Sequence, residues 1–205
     1  TYMRTDSTQV AESAIGEARA YISETYGKNY VPEKPRVHKS RSKGAQEAHE
    51  AIRPTSIRRV PQSLKDYLSS DQLRLYTLVW ERMLASQMAD ARSESTTVDI
   101  DATCKGSGTV YMFRATGSVL TFPGFRTLYL ESRDDEEEDR GRQRLPEVAK
   151  GDGLSCQKLE AVQHFTQPPP RYSEATLIKA LEEKGIGRPS TYAPTIATIL
   201  DRHYV

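Results

Sequence analysis

Near Arg92 the chain changes pattern, and this change constrains its fold more than any other feature. Before it, apolar residues recur at helical spacing. After it, Thr, Val and Ile alternate with polar residues, and Gly106, Gly108, Gly117 and Gly124 punctuate the run. The first period buries one stripe of a helix, and the second buries one face of a strand. A helical block followed by a β-rich block predicts an α+β organisation in several domains.

The helical block reads in detail as follows. Asp6 and Ser7 are N-cap residue types, and Val10, Ala14, Ile15, Ala18, Tyr21 and Ile22 follow at helical spacing. The spacing predicts a helix over 7–26, stopped by Gly27. Residues 28–45 carry prolines, serines and basic residues without a period and read as a loop. Glu47 to Ile52 can form a short helix that Pro54 ends at Arg53, which would put His49 and Arg53 on one face. Pro61 to Ser69 fits another short helix. Asp71 then caps a longer one reaching Met88, with Leu73, Tyr76, Leu78, Val79, Trp80, Met83, Leu84 and Met88 as its core stripe.

Beyond Arg92, residues 95–104, 109–115 and 119–121 read as antiparallel strands. Residues 125–130 are ambiguous, and the acidic run Asp134 to Asp139 reads as a solvated loop. Leu154 to His164 reads as a further strand. Pro168-Pro169-Pro170 is a stiff linker, Ser173 opens a helix that ends at Lys184-Gly185, and Ser190 caps a last helix.

Composition narrows the function classes. The 205 residues are 37% hydrophobic and 28% charged, as in an ordinary soluble protein. No apolar run approaches the roughly 18 residues of a membrane-crossing helix. The first residues lack a basic-then-apolar signal pattern. The chain opens on Thr1 inside a motif and stops at Val205 in mid-pattern, so we expect an internal segment of a longer protein. Cys104 and Cys156 lack zinc-ligand spacing and read as buried reduced thiols. The net charge of +1 hides a basic stretch containing Lys34, Arg36, Lys39, Arg41, Lys43, Arg53, Arg58 and Arg59. Such a stretch is either a phosphate-binding surface or a solvated loop.

The chemistry concentrates in short strings. In an extended Tyr2-Met3-Arg4, the phenol and the guanidinium point to one side and could meet one phosphate together. The phenol could attack it while the arginine neutralises the developing charge. The same two residues could equally pack at a strand end. His49 suits proton transfer or phosphate contact, and also suits a hydrogen-bonded surface position.

Three ordered strings carry a resemblance: Tyr2-Met3-Arg4-Thr5-Asp6-Ser7, then Ala48-His49-Glu50-Ala51-Ile52-Arg53-Pro54-Thr55, then Gly185-Ile186-Gly187-Arg188-Pro189-Ser190-Thr191-Tyr192-Ala193. With Gln163 to Ala175, they make the chain similar to type IA DNA topoisomerases, most of all their bacterial topoisomerase I branch. Topoisomerase III and reverse gyrase remain alternatives, as does a non-catalytic single-strand-binding module.

The resemblance implies a multidomain α+β core: 1–92 a helical domain carrying a nucleophilic tyrosine, 93–165 a β-rich arch or hinge, and 166–205 the start of a helical single-strand-groove domain. It implies that Tyr2 is the nucleophile, that Arg4 holds the scissile phosphate and that His49 assists proton transfer. It implies DNA contacts from Arg4, Arg53, Arg171, Ser173, Arg188, Ser190, Thr191 and Tyr192, Tyr192 being also readable as a core residue. It implies Mg²⁺ bound by a TOPRIM domain outside this sequence, no metal ligands within it, and no need of ATP. The expected partners are single-stranded or negatively supercoiled DNA and the rest of the parent chain, in the bacterial cytoplasm at the nucleoid. The segment alone is expected to be inactive, with its incomplete domain cores partly exposed.

Overall fold

The computed structural model describes residues 3–5, 7–38, 49–129 and 144–204. Tyr2, Asp6, the basic residues Lys39, Arg41 and Lys43, and the acidic run 134–139 lie outside the described residues. The described elements are helices α1 (Glu12–Thr25) and α2 (Ser70–Gln87), strands β1 (Arg92–Thr103) and β2 (Val110–Phe122), and helices α3 (Glu174–Glu183) and α4 (Pro189–Asp201). The architecture is α+β, with a two-stranded antiparallel sheet. The chain divides into two compact units. One draws on Ala11–Arg36 and Arg53–Asp152, the other on Thr1–Val10, Val37–Ile52 and Gly153–Val205.

The first unit is built on α1 and α2. Ala14, Ala18 and Ile22 of α1 are buried, as are Trp80, Met83, Leu84 and Met88 at the end of the chain's α2 stretch, together with Ile57. The stripe read from the sequence is therefore core except at Leu78, which is 45% exposed and so lies off the buried face. α1 begins later than expected, at Glu12 with Ala11 before it and no side-chain cap. Ser7 does not cap it: its oxygen accepts from Gln9 N–H at 3.3 Å and its hydroxyl donates to the His49 carbonyl at 2.7 Å, but the residues after it are not helical until Glu12. α2 is capped by Ser69, not Asp71, through a reciprocal pair: Gln72 N–H donates to Ser69 Oγ, and Ser69 N–H donates to Gln72 Oε1 at 3.0 Å. The short helix expected before it is a 3-10 turn over Pro61–Leu64.

Gln87, 1% exposed, closes the end of α2. Its carbonyl oxygen accepts from Arg36 N–H at 3.3 Å and its amide donates to Arg36 O at 3.2 Å. Arg36 also pairs with Asp90 at 2.7 Å. Gly124 sits against the same corner with φ +51°, and a Cβ there would stand 2.5 Å from Ala89 O. Only glycine fits that approach.

The hairpin runs in register from Ser93↔Leu120 to Thr103↔Val110, with an irregularity between Arg92 and Ser93. Gly117 lies within β2, so the two short strands expected at 109–115 and 119–121 are one. Val98↔Ala115, Ile100↔Phe113 and Ala102↔Tyr111 share one face. On the other face Arg114 grips Asp99 through Nε and Nη2 at 2.7 and 3.0 Å. Both cysteines are free and exposed, correcting the expectation of buried thiols. Cys104 stands at the mouth of the hairpin loop, where backbone N–H groups of Ser107 and Gly106 hold its thiol below the usual value.

In the second unit, Leu154 to His164 forms no strand; it is irregular and exposed. The alternation is present in the sequence, but a strand exists only through a partner. Ser173 caps α3 with Thr176, as expected. α3 ends in a Schellman arrangement, Ile186 N–H to Leu181 O at 2.8 Å and Gly185 N–H to Glu182 O at 3.0 Å. α4 starts at Pro189 after Arg188, two residues earlier than a Ser190 cap would give. Among the described residues no helix is long and apolar enough to cross a membrane.

Candidate functional site

The first two strings meet in space. Met3 and Glu50 form a parallel bridge. Arg4 N–H donates to Glu50 O at 2.9 Å, and Ala51 N–H donates to Gln9 O at 2.7 Å. The Ser7 hydroxyl donates to His49 O, and the Thr8 hydroxyl to His38 O, each at 2.7 Å. Residues 49–51 are thus extended, and the short helix expected there is absent. The pairing that extends them comes from residues 42 positions away in sequence, which local propensity does not see.

This correction changes the site. On a helix His49 would face Arg53; in an extended segment it faces with Ala51. Residues directly opposite in a bridge share a face, and their neighbours take the other. Met3 and Glu50 therefore lie on one side, and Arg4 and His49 on the other. Arg4 and His49 are half-buried, and Glu50 is 5% exposed. The burial of Glu50, on the opposite side of the bridge, was not foreseen from the sequence, because Glu50 reads there as one more polar residue of a short helix.

Arg53 belongs to the other unit. It is half-buried, and its Nη1 donates to Pro54 O at 3.0 Å. Of the remaining basic stretch, Arg36 pairs with Asp90 and Arg58 with Glu24, so these two guanidinium groups serve the fold. The phosphate-surface reading does not extend to them.

Arg171 and Ser173 lie in the exposed approach to α3, where Ser173 is engaged in capping. Arg188 is extended and exposed, with φ −148° and ψ 165°, at the mouth of α4. The Thr191 hydroxyl accepts from Arg188 N–H at 2.9 Å and donates to Arg188 O at 3.0 Å, so Thr191 holds the turn. Gly187, at φ +77°, lies under Thr191 Oγ1 and the Tyr192 ring, which a Cβ would meet at 3.1 and 3.3 Å. Ser190 is exposed and Tyr192 half-buried. The turn thus presents an arginine beside the first turn of a helix, a place that favours a bound phosphate.

Among the described residues no group of three or more His, Cys, Asp or Glu could hold a metal ion.

The sequence model of the DNA topoisomerase family matches residues 1–205. The chain is 50% identical over 208 residues to DNA topoisomerase 1 of Xylella fastidiosa, in both the Temecula1 and the 9a5c strain. Those alignments take in 100% of this chain and 25% of the relatives' own length. Its fold is similar to that of full-length topoisomerase I from Thermotoga maritima, with a TM-score of 0.70 and 36% identity, covering 100% of this chain and 30% of that one. With a match running from its first residue to its last, the chain belongs to the DNA topoisomerase family.

Proposed function

We propose that this chain works as one stretch of a larger type IA DNA topoisomerase, the stretch that carries the cleavage tyrosine. The observation that supports this most is the Met3–Glu50 bridge, which joins the Tyr2-Met3-Arg4 string to the His49 string. Two sequence-distant strings with complementary chemistry gain meaning when they share one short pairing. The bacterial topoisomerase I branch is favoured over topoisomerase III and reverse gyrase by the names of the relatives.

In this reading the Tyr2 oxygen attacks a backbone phosphorus in one DNA strand. The bond to the 3′ oxygen breaks, leaving a 3′ hydroxyl and a 5′-phosphotyrosine. The phenol proton must leave, since a tyrosine has a pKa of about 10 and is neutral at working pH. His49 takes a part in that transfer, and Arg4 neutralises the charge that builds on the phosphate. The reverse attack reseals the strand. One ester is exchanged for another, so no ATP is consumed. After strand passage the net result is relaxation of negative supercoils.

The finer assignment divides the chain at about 92 and 165 into a tyrosine-bearing helical domain, an arch or hinge and the start of the single-strand groove. Arg53, Arg171, Ser173, Arg188, Ser190, Thr191 and Tyr192 contact DNA in this reading. The metal-holding acids lie in a TOPRIM domain outside the sequence, and the setting is the bacterial cytoplasm at the nucleoid.

The test is Tyr2→Phe in the full-length protein, which keeps the ring and removes the attacking oxygen. The variant should fold and bind single-stranded DNA yet form no protein–DNA adduct on a denaturing gel. Adduct formation at the wild-type rate would sink the assignment. A wild-type protein that binds but never forms an adduct would instead be a single-strand-binding module.

A further inference from the structure

The turn after the His49 string is held with unusual density. Ser56 Oγ donates to Glu17 of α1 at 2.5 Å. Trp80 Nε1 of α2 donates to Ile57 O at 2.9 Å in a buried position. Arg58 places both terminal nitrogens on the Glu24 carboxylate at 2.6 and 2.9 Å. The Tyr76 hydroxyl donates to Arg59 O at 2.6 Å. Every residue from 56 to 59 is therefore anchored to α1 or α2. Within the turn, Arg59 N–H donates to Ser56 O at 3.3 Å and Arg58 N–H to Ser56 Oγ at 3.2 Å. Tyr21 meets the Trp80 ring edge-on at 5.8 Å, fixing the indole that serves as the central anchor.

A simple surface connection does not require this. Its backbone groups can bond to water, and its side chains can stay mobile. The anchors order what precedes them. Pro54 is buried and has a locked φ, and it biases Arg53 to extended backbone. Only Pro54 and Thr55 separate Arg53 from the first anchored residue. The Arg53 guanidinium folds back onto Pro54 O through Nη1 at 3.0 Å, which ties one of its nitrogens to the proline's position.

We propose that the α1–α2 platform is a positioning device for Arg53, with Trp80 as its central positioning residue. This rests on the reading of Arg53 as a DNA-phosphate contact. Trp80 acts through the turn: its indole N–H fixes Ile57 O, and the fixed turn aims the guanidinium. Preorganising a charged group in this way strengthens binding by lowering the ordering needed when the ligand arrives.

The experiment uses the full-length protein and a fluorescent single-stranded oligonucleotide, with affinity read by anisotropy at fixed salt. The set is wild type, Arg53→Ala, Trp80→Phe and the double variant, each checked for folding by thermal melting. Arg53→Ala should weaken binding roughly tenfold or more, as for a lost hydrogen bond to a charged partner. Trp80→Phe should weaken it by roughly three- to tenfold, and the double variant should bind no worse than Arg53→Ala, because coupled residues do not add. If Trp80→Phe melts early, Tyr76→Phe removes another anchor from a half-buried position and should show the same non-additivity. Additive losses, or wild-type binding by both anchor variants while Arg53→Ala binds weakly, would overturn the positioning role. Wild-type binding by Arg53→Ala would instead overturn the DNA-contact reading on which it stands.

Discussion

The two helix pairs, α1–α2 and α3–α4, answer differently to the same sequence signals. Each helix has an apolar stripe. In the first pair the stripes are buried, down to Ala18, Ile22 and Leu84 at 0% exposure. In the second, α3 has no buried residue and α4 has only Ile196. The ends do not follow that division: α1 starts without a side-chain cap, whereas α2 and α3 each carry a reciprocal box, and α3 adds a Schellman stop. Caps are local and settle where a helix begins and ends. Burial is non-local and settles whether its stripe has a partner. Helices of 10 and 13 residues are marginal without tertiary packing, so α3 and α4 lean on their termini.

The largest expected effect tests the packed pair. Leu84→Ala should destabilise the chain by about 2–5 kcal/mol, through lost burial and a residual cavity. Leu181→Ala in α3, at a half-buried position, should shift stability by less than about 1 kcal/mol. Urea unfolding followed by Trp80 fluorescence measures the first, and far-ultraviolet circular dichroism the second. Equal losses would mean that α3 is packed as firmly as α2, and the contrast would fail.

A second prediction asks what the exposed pair is for. Arg188→Ala in the full-length protein should weaken single-strand binding or cleavage by about 1–3 kcal/mol, the range for a charged hydrogen bond to phosphate. It should leave the unfolding midpoint unchanged, since Arg188 is exposed at a turn that Thr191 and Gly187 already hold. Wild-type DNA affinity would make Arg188 a helix-terminus arginine without a ligand.

These contrasts match what was legible in the sequence. The α2 stripe, the Ser173 cap, the Gly27 stop and the hairpin were readable because each depends on residues a few positions apart. The start of α1 was misread because Ser7 has the chemistry of a cap, yet its stretch is held extended by bonds to residues 49–51, far away in sequence. The 49–52 segment was misread as helix because its partner, Met3, is far away in sequence. Leu154 to His164 was misread as a strand because alternation cannot reveal whether a partner is present. For the candidate site, residue types and strings were legible, and the side on which His49 lies was not. The burial of Trp80 was foreseen as packing, but the bond from its indole to Ile57 O had no sequence signal, since the turn it holds is irregular.

Capping offers a smaller, matched test. Ser69→Ala and Ser173→Ala each remove a hydroxyl acceptor from a reciprocal cap, worth about 1 kcal/mol. The size should be alike and the reach different. Ser69→Ala should lower the unfolding midpoint of the first unit, because α2 is part of its core. Ser173→Ala should speed amide exchange over 174–183 and leave that midpoint in place. Faster exchange in α2 on Ser173→Ala would show a cooperativity between the helices that their burial does not predict.

The smallest effect concerns the ion pair at the anchored turn. The Arg58 fork bonds the Glu24 carboxylate and holds it below the ordinary value of 4.5, with a lesser opposing contribution from burial. Glu17 and Tyr21 are the other titratable groups acting on Arg58. For a carboxylate lowered by folding, the native state binds fewer protons than the unfolded chain at pH values between the two pKa values. Its contribution is therefore fully present above pH 4.5 and disappears as pH falls through the lower native value. The pair is exposed, so water and salt reduce its worth. Acid through this window should speed amide exchange at the 56–59 turn before it affects the buried α1–α2 core, and should leave the caps of α3 unchanged. Arg58→Gln should return the Glu24 pKa, read from its carboxyl carbon by nuclear magnetic resonance, toward 4.5. An unmoved Glu24 pKa in Arg58→Gln would mean that the bidentate pair does not persist in solution. The turn would then depend on Trp80, Tyr76 and Ser56 alone.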